Sequence, residues 1–145
     1  MKDKAERVFG KPSKNNFIEG GSIEAKMIMS YFYKYSSADL GNGVFEDYDD
    51  RADLSAVVFF LTDEAFFWIL TPLIRYASHK MPWGTHLIRS ILERYKKVDN
   101  SLASMQSDVK PIIEDWLLSL LADFHDDEVL NKYLLEELTL LRSKD

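Results

Sequence analysis

Three histidines, His79, His86 and His125, are the first candidates for metal ligation or proton transfer in this 145-residue chain. His79 and His86 stand seven residues apart with Pro82 between them, so they miss the i, i+4 spacing of a zinc pair, and no His-Glu-x-x-His pattern occurs. His125-Asp126-Asp127-Glu128 has the makeup of a helix start, where the acids serve as caps without any metal. Asp47-Tyr48-Asp49-Asp50 lacks the glycine and distal glutamate of a calcium loop. With no cysteine there is no thiolate ligand and no Cys–His catalysis, and no Gly-x-Ser-x-Gly nucleophile turn is present. The neighbouring carboxylates Asp49/Asp50, Asp126/Asp127 and Glu136/Glu137 do not face each other on a helix, so they read as solvated charge rather than an acid–base pair. Gly20-Gly21-Ser22 could cradle an anion at a helix start, but without a Walker lysine or a preceding strand a plain cap is the better reading. The expectation is a non-enzyme with no cofactor and no metal.

Recognition chemistry is better represented. The net charge of −6 is laid down in blocks: +3 over residues 1–15, −5 over 39–53, +5 over 74–97 and −6 over 108–145. Such blocks either pair within the fold or present charged surfaces to partners. An acidic chain is a poor general nucleic-acid binder, because that function rests on neutralising phosphates. Asp47, Tyr48, Asp49 and Asp50 are the candidate partner-binding cluster, with carboxylates for charge complementarity and a tyrosine for contact area. Trp83, in a Met-Pro-Trp-Gly turn, is either a second anchor or a lid on the core. The block Arg75, His79, Lys80, His86 and Arg89 is the candidate for an anion site in the alternative reading of an enzyme or small-ligand binder.

The elements that must hold these residues are helical. Ser22 is placed to cap a helix over 23–35, with Ala25, Ile28, Phe32 and Tyr35 on one stripe, widened by Ile23, Met27 and Tyr31. Gly41-Asn42-Gly43 reads as a turn, and 44–53 as a loop or short helix. Residues 56–61 suit a buried strand or a helix, and helix is preferred because no partner strand is evident. Thr62 caps a helix over 63–78, with a kink or break expected at Pro72. Leu87, Ile88, Ile91, Leu92 and Tyr95 mark the next helix, 109–124 another with Pro111 in its first turn, and 128–142 the last. The fold class expected is all-α: a compact bundle of five to six helices in one domain spanning 1–145. A short strand pair near residues 44–61 is the alternative there. Residues 1–20 are expected as a loosely held arm, with Phe17 and Ile18 as its anchor. The charged start and the short apolar runs, Ala56–Leu61 and Ala65–Leu70, fit neither a signal peptide nor a membrane span, so cytoplasmic is the expected location with no membrane partner.

Phe60-Leu61-Thr62-Asp63-Glu64-Ala65-Phe66-Phe67-Trp68-Ile69-Leu70-Thr71-Pro72-Leu73 resembles the centre of a family of small bacterial proteins of uncharacterised function. The shared pattern is a Phe-Leu-x-x-Glu-Ala-Phe start followed by an aromatic helix with a proline near its middle. In size, acidity and lack of a catalytic constellation the chain is also similar to bacterial toxin-immunity proteins. That resemblance implies a protein partner, a basic toxin domain, neutralised through the acidic cluster. A small regulatory or structural homo-oligomer is the second expectation.

Overall fold

The computed structural model describes residues 10–99 and 103–143 and is all-α, with no sheet among the described residues. Among the described residues seven α-helices follow one another: α1 Ile23–Phe32, α2 Asn42–Asp49, α3 Leu54–Val57, α4 Asp63–His79, α5 Thr85–Lys96, α6 Ala103–Asp123 and α7 Glu128–Arg142. The count exceeds the expected five to six because both ambiguous stretches are helical. Residues 42–49 form α2, with Gly41 at its N-cap rather than in a separate turn, and 54–60 form α3 and a 3₁₀ turn, Val58–Phe60. Burial of Phe45, Leu54, Val57 and Val58 decides this, since local periodicity over so few residues could not. The strand alternative shrinks to one isolated antiparallel bridge, Ile18 to Leu61, whose first partner lies outside residues 44–61.

The chain divides into two compact units, Met1–Ile91 and Leu92–Asp145. In the first, α4 is the central element. Thr62 caps it by accepting from the Ala65 amide at 3.1 Å, and Asp63 and Glu64 sit favourably in its first turn. Six consecutive residues, Ala65 to Leu70, are fully buried, as expected of a helix that is apolar all round. The helix runs unbroken through Pro72, because burial on both sides of the proline outweighs one lost backbone bond. α2 and the short turn Ser37–Asp39 pack on α4. Rings carry that packing: Phe32 lies 5.8 Å from Phe45, which lies 5.5 Å from Tyr76.

Within residues 10–20 most side chains are exposed, and the segment is held at Phe17, one of its two expected anchors. Phe17 is fully buried, edge-on to Tyr33 at 5.2 Å and to Trp68 at 5.6 Å. Its carbonyl accepts from the Thr62 amide at 3.1 Å, and the Glu19 amide donates to the Phe60 carbonyl at 2.8 Å. Lys11 donates to the Tyr33 and Tyr35 carbonyls, both at 2.9 Å, and so satisfies acceptors just past the end of α1. Residues 1–9 of the expected arm lie outside the described residues.

Ser22 caps α1 as expected, and Ala25, Ile28 and Phe32 face the core. Ile23 and Met27, expected to widen that stripe, instead point outward. In the second unit α6 and α7 form an antiparallel-type hairpin closed by a short turn, with Val109, Ile113, Trp116, Leu117 and Leu120 buried on one helix and Leu130, Leu134, Leu138 and Leu141 on the other. Arg142 reaches Glu114 at 3.1 Å across this pair, and Asp127 caps α7. α6 begins at Ala103, so Pro111 lies well inside it rather than in the first turn, its ring on the exposed side. Glu137, expected to be solvated beside Glu136, is buried.

Candidate functional site

Trp83 is the most exposed aromatic side chain described for the first unit, at 81%. It sits on the turn joining α4 to α5, which is fixed by short backbone bonds: Met81 to Ser78 at 3.2 Å, Trp83 to Lys80 at 2.8 Å and Leu87 to Gly84 at 3.0 Å. Gly84 is buried, and a Cβ added there would stand 2.8 Å from the Ala77 carbonyl oxygen, so only glycine lets the turn fold back this tightly on α4. The indole is therefore held out on a stiff support. It is not a lid on the core.

Lys80 ties this turn to the acidic helix. Its ammonium lies 3.2 Å from the Glu46 carboxylate, which also accepts from the Tyr76 hydroxyl at 2.7 Å. The Tyr76 bond, then the Lys80 bond, hold the Glu46 carboxyl below its ordinary range. Burial, followed by the Glu46 bond, pushes the Tyr76 hydroxyl up. Here an acidic and a basic block do pair within the fold, through Lys80 and Glu46.

The expected Asp47–Asp50 cluster is split by its surroundings. Asp47 accepts from the Tyr31 hydroxyl and lies 3.3 Å from the Arg51 guanidinium, which together lower its pKa. Burial and that same bond raise the Tyr31 hydroxyl to about 12. Asp49 accepts from the Leu54 amide at 3.3 Å and so helps start α3. Tyr48 is half-buried, its ring 5.1 Å from Tyr31 and 5.0 Å from Phe32, and burial raises its hydroxyl. It packs α1 against α2 instead of offering free contact area. Asp50, at the end of α2, is exposed with Asp47 beside it in sequence register. The outward-facing features are thus Trp83, Asp50 and the exposed part of Asp47; sequence spacing could not separate them from Tyr48 and Asp49, whose partners come from other elements.

The residues of the alternative anion site line none of the three pockets described. Lys80 is turned to Glu46, while Arg75, His79, His86 and Arg89 are exposed along α4 and α5. Among the described residues no group of three or more His, Asp or Glu side chains could hold a metal ion. No helix described is long and apolar enough to cross a membrane. Comparison with known protein families, with curated proteins and with solved structures gave no match.

Proposed function

We propose that this chain is a non-enzymatic protein-recognition module, and that its partner is a toxin domain with a basic surface, which it neutralises by binding. The observation that carries the reading is Trp83: a large, 81% exposed aromatic on a backbone-braced turn. Exposing an indole costs hydrophobic free energy, and a rigid aromatic at a surface is the commonest kind of interface anchor. Asp50 and Asp47 supply negative charge on the helix that Lys80 links to this turn, which suits a basic partner and speeds its encounter.

The test is to sequence the neighbourhood of this chain's gene and co-express the chain with a toxin domain found there; a neighbourhood without one counts against the reading. Wild type restores growth, whereas Trp83→Ala and Asp47→Asn/Asp50→Asn lower affinity, the tryptophan change by roughly 30-fold or more. Undiminished protection and affinity in Trp83→Ala, with wild-type circular dichroism, would remove the indole from the interface and the reading with it.

A further inference from the structure

Two helix faces carry exposed apolar side chains that neither the core nor the Trp83 surface uses. On α1, Ile23 is 78% exposed and Met27 61%, next to half-buried Tyr31, with Lys26 and Ser30 alongside and Lys34 just past the helix end. Both charges lining this face are positive, on a chain whose net charge is −6. The nearby Asp47 carboxylate does not reverse that sign, because Arg51 lies 3.3 Å from it. On α7, Leu135 and Leu140 are about half exposed and line an open groove of about 750 Å³. Glu128 and Glu136 line the same groove, with Lys132 one turn from each, and Asp126 and Asp127 extend the negative charge beyond the helix start.

The two faces match each other. Lys26 and Lys34 are eight residues apart, as are Glu128 and Glu136. At 1.5 Å rise per residue Glu128 and Glu136 stand about 12 Å apart along α7, while Lys26 lies on α1 and Lys34 two residues past its last residue, Phe32. Ser30, midway between the lysines, offers no charge to oppose Lys132, which is midway between the glutamates. We propose that the α1 face of one copy docks into the α7 groove of a second copy. Ile23 and Met27 then bury against Leu135 and Leu140, and the two lysines lie against the two glutamates. A basic partner would be repelled by α1, and an acidic one by α7; a second copy presents the opposite charge to each. Two such contacts made reciprocally about a two-fold axis close a dimer, and a single contact repeated head to tail gives a ring or an open chain.

Sedimentation velocity on the purified chain, from about 10 to about 500 µM, tests this at low salt and again near 0.5 M salt, where the Debye length falls to roughly 4 Å. The expected result is a sedimentation coefficient that rises with concentration and rises less at high salt. Lys26→Glu/Lys34→Glu alone and Glu128→Lys/Glu136→Lys alone associate at least about tenfold more weakly, since like charges then face each other. An equimolar mixture of the two variants regains assembly, because the native α7 face of one meets the native α1 face of the other and the two reversed faces also attract. Met27→Asp, an exposed change that leaves the core intact, abolishes association in the wild-type charge background. A strict monomer across the range, or a mixture that associates no better than either variant alone, overturns the proposal.

Discussion

Replacing Phe17 with alanine should remove a large part of the first unit's stability, although residue 17 precedes the first α-helix and looks peripheral in sequence. The side chain is fully buried and meets Tyr33 and Trp68 edge-on at 5.2 and 5.6 Å. Truncating a buried phenylalanine costs about 3–5 kcal/mol through lost transfer free energy and the cavity left behind. The two ring pairs, each worth about 0.5–1.5 kcal/mol beyond area, place this site toward the upper end of that range. At about 0.05–0.15 kcal/mol per residue, the whole chain has a margin of about 7–20 kcal/mol, so the loss is a substantial fraction. Phe17→Leu keeps most of the volume and loses only the ring geometry, for about 1–1.5 kcal/mol. Urea unfolding followed by circular dichroism reads both, with the midpoint shifting several times further for alanine than for leucine. If Phe17→Ala lies within about 1 kcal/mol of wild type at unchanged slope, residues 10–20 are not part of the core and the packing described is wrong.

Gly84→Ala would place a methyl 2.8 Å from the Ala77 carbonyl oxygen, and a backbone neighbour cannot swing away, so a loss of about 1–3 kcal/mol is expected in thermal melts. Thr62→Ala removes the cap on the Ala65 amide and should cost about 1 kcal/mol, whereas Thr62→Ser retains most of it by the same assay. Tyr31 has its pKa raised from 10.0 to about 12, so its contribution is fully present below pH 10 and is lost as the pH climbs from 10 toward 12. Tyr31→Phe should flatten that part of the alkaline stability profile, and an unaltered slope between those values would sink the assignment. Glu46 has its pKa lowered from 4.5, so its contribution is present above that value and fades as the pH falls through the depressed one. Denaturation of Glu46→Gln should be less acid-sensitive there than that of wild type.

Much of the helical frame is determined by sequence alone, because its signals are local. A Ser or Thr that accepts from an amide three residues on, a stripe at i, i+3, i+4 and i+7, and an aspartate at the turn before α7 each act within one or two turns. Hence Ser22 and Thr62 cap as their positions foretell, Asp127 is the one of Asp126 and Asp127 that caps α7, and Leu87, Ile88, Ile91, Leu92 and Tyr95 are all buried. The acidic character of α2 and the turn at Trp83 are equally legible. Only the tertiary structure decided which side of each ambiguous element faces inward. Ile23 and Met27 share an apolar stripe with Ile28 and Phe32 but fall on the far side of α1, since one helix face is fully occupied by the core and the remainder has nothing to pack on. Pro72 lies within a continuous helix because burial along its flanking turns exceeds the loss of one hydrogen bond, and Pro111 lies within α6 on its exposed side. Asp49 and Tyr48 look the same as Asp50 and Trp83 in a list of candidate contact residues. They differ because Leu54, Tyr31 and Phe32, brought in by other helices, take up their polar atoms and rings, while Trp83 is held out by a glycine that lets its turn close on α4.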